Sequence, residues 1–184
     1  MGARELETIS TAIREALVAD PLWQGARGIA AFVGVRNEVE TEALIDRCLA
    51  AGKAVWLPRV LGGGVMRFWP LAGLAALEPG RMGLREPPSI GPGEAMPGRA
   101  AGVDLVLVPG LGFGRDGARL GFGAGHYDRA LAQRAPGDEV PLVGVAPEAF
   151  MLESGEVAVE AHDVAMTHLL SERGLVSVDG TTGG

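Results

Sequence analysis

Segment 109–131, PGLGFGRDGARLGFGAGHYDRAL, gathers the residue types that can do chemistry. It holds Gly110, Gly112, Gly114, Gly117, Gly121, Gly123 and Gly125. Glycine lets the backbone take positive φ and lets a ligand come close to amide groups. The run Gly121-Phe122-Gly123-Ala124-Gly125 leads into a helix, and successive N–H groups ahead of a helix form an anion site. Arg119 lies just upstream and can offer a charge-assisted fork to phosphate. Asp128 beside such a loop suits Mg²⁺, which takes one or two carboxylates plus phosphate oxygens. It equally suits a helix's first turn, where the macrodipole favours an acid. His126 can donate to phosphate, stack on a ring, or be a surface histidine. Tyr127 is the only tyrosine, and core packing is its simplest account. The spacing fits neither the dinucleotide GxGxxG fingerprint nor a Walker loop, since no Gly-Lys-Ser/Thr follows. The bland account of the segment is a flexible glycine-rich turn.

These side chains need elements to hold them. Leu6, Ile9, Ile13 and Leu17 recur at spacing 3 or 4, which predicts an amphipathic helix over 5–18, stopped by Asp20-Pro21. Residues 28–35 (GIAAFVGV) read as a buried strand, and 38–51 as a second helix ended by Gly52. Strands are expected at 53–58 and 65–69, joined by the turn Gly62-Gly63-Gly64. Residues 71–102 carry Pro79, Pro87, Pro88, Pro92 and Pro97. They read as a long irregular loop with a short helix at 71–77, functional or mobile. Strands follow at 104–109, 141–145 and 164–170, with a helix at 129–134 and a frayed tail at 180–184. Alternating helices and near-continuous apolar strands predict an α/β fold. The expectation is a single-domain three-layer structure over 1–184, with a mostly parallel sheet covered by helices on both faces. Ligands in such folds bind at the carboxyl ends of the strands, near a topological switch.

Composition narrows the function. The chain has 184 residues, 47% hydrophobic and 21% charged, an ordinary globular balance. Its net charge of −7 argues against a protein that binds nucleic acid by neutralising phosphates. No apolar run approaches the length of a membrane span. With one cysteine, Cys48, no intramolecular disulfide forms; without a basic-then-apolar leader, the cytoplasm is the expected compartment. His126, His162 and His168 have no ligand-spaced partner for zinc. Lys53 is the only lysine, so arginine carries nearly all the positive charge.

Segment 109–131 resembles the signature of the 5-formyltetrahydrofolate cyclo-ligase family, roughly PGLxFDxxGxRLGxGxGxYDR. Pro109-Gly110-Leu111, Phe113, Gly117, Arg119-Leu120-Gly121, Gly123, Gly125 and Tyr127-Asp128-Arg129 fall in register. Further matches are Glu38-Val39-Glu40-Thr41, Gly52-Lys53, Trp56-Leu57-Pro58-Arg59, Met66-Arg67-Phe68, Gly83-Leu84-Arg85-Glu86-Pro87 and His162-Asp163, so the likeness runs over about 28–172. It implies an α/β fold and MgATP-dependent ring closure of 5-formyltetrahydrofolate to 5,10-methenyltetrahydrofolate, with ADP and phosphate released. ATP would be held by Arg14, Arg119, Leu120, Gly121, Phe122, Gly123, Ala124, Gly125, His126 and Tyr127. Of these, Arg119, His126 and Tyr127 would be catalytic. The folate would meet Val33, Glu38 and residues Phe122, Gly123, Ala124, Gly125 and His126; Asp128 and Asp163 would hold Mg²⁺. For Glu38 the alternative is a helix-start carboxylate.

The family's first helix carries Lys-x-x-x-Arg, whose two cations reach the ATP phosphates. Here Ser10-Thr-Ala-Ile-Arg14 has that spacing with serine in place of lysine; alternatively, 4–18 matches the family's second helix. Gly114 also replaces the usual Asp, and Thr167 stands where an acid often follows Asp163. A divergent relative, non-catalytic or of altered substrate, that binds a nucleotide or pterin is the second reading, and a different phosphate-ester enzyme on a related α/β scaffold the third.

Overall fold

A computed structural model describes residues 1–35, 38–80 and 83–178. The strands in chain order are β1 (Gly28–Ala30), β2 (Ala54–Val60), β3 (Met66–Pro70), β4 (Glu78–Pro79), β5 (Arg85–Glu86) and β6 (Leu105–Pro109). They continue with β7 (Gly112–Gly114), β8 (Arg119–Leu120), β9 (Leu142–Val145), β10 (Met151–Leu152), β11 (His168–Ser171) and β12 (Gly174–Ser177). The helices are α1 (Ala3–Ala19), α2 (Pro21–Gly25), α3 (Glu42–Ala50) and α4 (His126–Leu131).

The main sheet has seven strands in the order β12-β11-β9-β6-β1-β2-β3. The inner five run parallel, while β3 and β12 pair antiparallel at the edges. Buried side chains alternate between its faces. Ile29, Leu105, Leu107, Val143, Val145 and Leu170 meet Ile13 and Leu17 of α1, Trp23 of α2 and Leu44, Ile45 and Cys48 of α3. Ala30, Val106, Val108, Leu142 and Leu169 meet Phe113 of β7 and Ala130 and Leu131 of α4. Burial on both faces is why the strands read as continuous apolar runs. Each fully buried leucine contributes roughly 1.5–3 kcal/mol relative to exposure.

Several expected boundaries move, each for a local reason. The 28–35 strand pairs only over β1, because later backbone donors turn to side chains: Gly34 N–H donates to Thr41 Oγ1 (3.2 Å) and Val35 N–H to Glu38 Oε2 (3.1 Å). The 38–51 helix begins at Glu42, since the Thr41 hydroxyl is turned back onto the Phe32 carbonyl. The helix expected at 129–134 is α4, three residues earlier at each end, which puts His126, Tyr127 and Asp128 in its first turn. The last parallel strand starts at His168, and β12 follows it as an unanticipated hairpin partner. The 180–184 tail lies outside the described residues.

Segment 71–102 is not irregular throughout. Its helix shrinks to a 3₁₀ turn at Leu74–Ala76, and β4 pairs with β5. The hairpin is strapped to β2: the buried Glu86 accepts from Val60 N–H (3.2 Å) and pairs with Arg59 Nε (3.6 Å), and Arg59 also donates to the Pro87 carbonyl (2.8 Å). Arg85 meets Glu42 of α3 at 2.6 Å.

The sheet reverses its order between β1 and β6, which lead to β2 on one side and β9 on the other. The loops after β1 and β6 therefore open side by side at the carboxyl ends of the strands, where a crevice forms in open α/β sheets.

Candidate active site

The loop after β1 carries Val33 and Glu38. It is fixed by short-range bonds, with Glu38 N–H on the Val35 carbonyl (2.9 Å) and Thr41 Oγ1 between Phe32 and Gly34. Ser10 of α1, buried, accepts from Glu40 N–H at 2.9 Å. Burial pushes the Glu38 carboxyl above its ordinary value, and the bond from Val35 N–H partly offsets this. Glu38 precedes α3 by four residues, so a helix-start role does not apply to it. Val33 is half-buried and packs on the core beneath.

The loop after β6 is the glycine segment. It first forms β7, which pairs with β10 and β8 in a small sheet. Gly117 (φ +86°) turns the chain between β7 and β8. An added Cβ there would lie 2.4 Å from the Met166 carbonyl oxygen, and Met166 N–H donates to the Gly117 carbonyl at 2.8 Å. That bond holds the strand of chain carrying Asp163 beside the glycine segment. β8 then presents Arg119, and Gly125, in the left-handed region, starts α4.

Arg119 Nη2 meets Asp128 Oδ2 at 2.5 Å, with side chains 9% and 10% exposed. Arg119 Nε and the Tyr127 hydroxyl are buried and, among the described residues, have no hydrogen-bond partner. The Arg119 guanidinium lies 5.8 Å from the Tyr127 ring centroid. Burial, and next the Glu38 charge, push the Tyr127 hydroxyl far up, while Arg119 pulls it down. Glu38 from one loop thus acts electrostatically on Tyr127 from the other, across the switch point. A buried donor and hydroxyl left without partners are expected where a polar ligand completes the site.

His126 has Nδ1 at 2.8 Å from the Gly64 carbonyl and 3.1 Å from Arg129 Nη2. Leu120, Phe122, Gly123 and Ala124 are exposed, Phe122 at 68%, while Gly121 is half-buried. Asp163 accepts from Glu160 N–H (2.8 Å) and has His162 Nε2 at 3.8 Å. Arg14 bonds Glu15 at 3.1 Å, and α1 packs on the sheet face opposite α4, so the structure does not gather Arg14 with the glycine segment. Ser10, at the position spaced for a lysine, faces the 33–41 loop instead.

Among the described residues no group of three or more His, Cys, Asp or Glu side chains could hold a metal. Asp128 Oδ2 is engaged by Arg119, and among the described residues the other oxygen has no hydrogen-bond partner. Such a sparse donor set fits a cation that takes most of its ligands from phosphate and water, as Mg²⁺ does.

Three contributions escaped the sequence: the Thr41 hydroxyl, Ser10, and the Gly64 carbonyl under His126. Thr41 stood in a matched motif, and Gly62-Gly63-Gly64 was visible as a turn, but neither pattern says what lies across from it.

The model of the 5-formyltetrahydrofolate cyclo-ligase family matches residues 2–172. The chain belongs to this family. It is 37% identical over 158 residues to the 5-formyltetrahydrofolate cyclo-ligase of Mycolicibacterium smegmatis, covering 83% of this chain and 77% of that one. It is 28% identical to the mouse cyclo-ligase, over 94% and 86% of the two chains. The NMR structure of Aquifex aeolicus 5,10-methenyltetrahydrofolate synthetase superposes with a TM-score of 0.80 at 26% identity, over 100% of this chain and 88% of that one. The cyclo-ligase match spans α1, both loops of the switch point and Asp163. The mixed α/β sheet is therefore the family's fold, and the chain is of a family of ligases.

Proposed function

We propose that this cyclo-ligase family member closes 5-formyltetrahydrofolate to 5,10-methenyltetrahydrofolate at the expense of ATP, releasing ADP and phosphate. The observation that carries the reading is the buried Arg119–Asp128 pair beside Tyr127, with Arg119 Nε and the Tyr127 hydroxyl unpartnered among the described residues. One loop offers amides and a guanidinium suited to phosphate; the other offers a buried carboxyl suited to the N–H groups of a pterin.

In this reading Arg119, Leu120, Gly121, Phe122, Gly123, Ala124, Gly125, His126 and Tyr127 surround the nucleotide phosphates, and Arg14 is a more distant cation. Val33, Glu38 and segment Phe122 to His126 face the folate. The formyl oxygen takes the γ-phosphoryl group, N10 attacks the formyl carbon and loses its proton, and the C–O bond breaks as phosphate leaves. Arg119 Nε and Nη groups meet the charge on the transferred group, with Asp128 fixing the guanidinium plane. Asp128, and Asp163 as second carboxylate, would hold Mg²⁺, which supplies neutralisation of phosphate oxygens when bound. The reading extends to one domain over 1–184, a cytoplasmic setting, and a small-molecule substrate rather than nucleic acid. No helix among the described residues is long and apolar enough to cross a membrane.

The second reading is a relative that binds a nucleotide or pterin without turnover, favoured by Ser10 being buried and Arg14 being paired to Glu15. Purified protein with 5-formyltetrahydrofolate and MgATP, followed at the near-ultraviolet band of the methenyl product, separates the two. Product growth that needs ATP and is lost in Asp128→Asn supports the cyclo-ligase. Folded protein that makes no product at high enzyme and saturating substrates leaves the binder.

A further inference from the structure

Thr41 immediately precedes α3, where a threonine side chain commonly accepts from the second or third helical N–H. Among the described residues it makes no such bond. Its buried hydroxyl instead donates to the Phe32 carbonyl and accepts from Gly34 N–H at 3.2 Å. A carbonyl only accepts and an amide only donates, so both roles of the hydroxyl are fixed. The helix starts on backbone bonds such as Ile45 N–H to the Thr41 carbonyl (2.9 Å).

The two partners mark where β1 leaves the sheet. Ala31 N–H still reaches the Trp56 carbonyl of β2 at 2.8 Å, and from Phe32 onward the Thr41 side chain stands in for a neighbouring strand. The chain then folds tightly on itself. A Cβ on residue 34 would stand 2.1 Å from the Val39 carbonyl oxygen, so the approach needs glycine there, and Val39 is anchored in the core. Glu38 N–H bonds the Val35 carbonyl (2.9 Å), and Val35 N–H bonds the Glu38 carboxylate (3.1 Å). Glu38 thus lies on an arc whose two feet, Phe32–Gly34 and Val39–Thr41, are joined by one hydroxyl and one close backbone contact.

We infer that Thr41 is a positioning residue for the folate: its hydroxyl, spent on the end of β1 rather than on the helix it precedes, locks the 33–41 loop in the arc that presents the Glu38 carboxyl to the substrate. This rests on the reading above in which Glu38 meets the folate. Thr41 itself touches no substrate and acts through Glu38.

Steady-state kinetics of the full chain with 5-formyltetrahydrofolate and MgATP test this. Thr41→Val keeps the side-chain volume and leaves both backbone partners unpaired. It should raise the KM for 5-formyltetrahydrofolate about tenfold or more, the scale of a binding group displaced by about 1 Å. The kcat and the affinity for a non-hydrolysable ATP analogue should stay within about twofold, because the weakened Glu38 contact serves ground and transition states alike. Thr41→Ser keeps the donor and the acceptor and should restore the wild-type KM. Thr41→Cys, a weak donor and weak acceptor, should fall between the two and takes the place of the valine variant if that one does not fold. In a Glu38→Ala background Thr41→Val should add little to the folate KM, since the group it positions is gone. An equal rise in that background, a serine variant that does not recover, or a loss shared by the nucleotide overturns the inference. If wild type binds no folate and makes no product, the functional reading has failed, and a ¹³C NMR titration of the Glu38 carboxyl still decides the positioning. Burial holds that carboxyl above its ordinary value. The value should fall toward the ordinary range in Thr41→Val and stay raised in Thr41→Ser; one value shared by all three proteins overturns the inference.

Discussion

Arg119 and Asp128 come from different elements, β8 and the first turn of α4, yet meet at 2.5 Å with each side chain about nine-tenths buried. Removing one partner of such a pair strands a buried charge, at about 3–5 kcal/mol. Replacing both with apolar residues of similar volume avoids that cost. Asp128→Leu and Arg119→Met should therefore each destabilise strongly, and the double variant less than their sum. Urea denaturation of the four proteins measures this. Additive losses would mean the two groups do not depend on one another.

The Glu38 carboxyl should show itself in the pH dependence of stability. Its folded value is raised by burial, so between the unfolded and folded values the native state holds more protons than the unfolded chain. The stabilisation is full below the unfolded value and is lost as pH rises through the folded one. Relative to Glu38→Gln, wild type should lose stability over the weakly acidic range as pH increases. Folate binding should move oppositely, improving with rising pH as the acceptor ionises. Parallel thermal-melt curves for the two proteins across that range would count against a buried, raised Glu38.

Which features were readable from sequence follows from how locally they are encoded. The central strands β1, β6 and β9 carry their own signal, because burial on both faces makes each an apolar run, while β2 alternates buried and half-buried positions. The glycine segment, Arg119 and Asp128 sit in one contiguous motif. By contrast, the end of β1 depends on Thr41 and Glu38 side chains taking over backbone donors, a choice made by the fold of the loop. Glu86 looks like an ordinary surface acid until Arg59 and Val60, 26 or more residues earlier, are brought beside it. Sequence spacing alone could not separate an outward-facing position 10 from a buried one, and there the distinction decides the chemistry.

Ser10 is 4% exposed and its hydroxyl accepts from Glu40 N–H, holding the loop that carries Glu38. Restoring a lysine there, Ser10→Lys, would bury an ammonium and break that bond rather than rebuild a phosphate clamp. The variant should lose about 2 kcal/mol or more of stability, with weaker folate binding and no gain in ATP affinity. Nucleotide titration and a thermal melt check it. Tighter ATP binding at wild-type stability would show that α1 turns this face to the nucleotide.

Glu86 is 3% exposed, accepts from Val60 N–H and pairs with Arg59, which in turn holds the Pro87 carbonyl and Glu78. Arg85 bonds Glu42 in the first turn of α3, just beyond the Glu38 loop. The hairpin is thus tied at both strands of its pair, to β2 on one side and α3 on the other, and behaves as a wall of the fold rather than a free lid. Glu86→Ala removes an acceptor that two neighbours share and leaves Arg59 half-buried without its inner partner. The cost should be about 2–4 kcal/mol, less than for Arg119–Asp128, because Arg59 keeps Glu78 and Pro87. Cleavage within 88–98 by a protease in the native state should speed up well beyond what the global loss explains, since opening the strap lets this already exposed stretch leave β2 and β3 before the sheet unfolds. Arg85→Ala, whose partner Glu42 is exposed, should change both readouts little. Equal protease rates in wild type and Glu86→Ala, once corrected for stability, would show that the proline-rich chain is held by something other than this carboxylate.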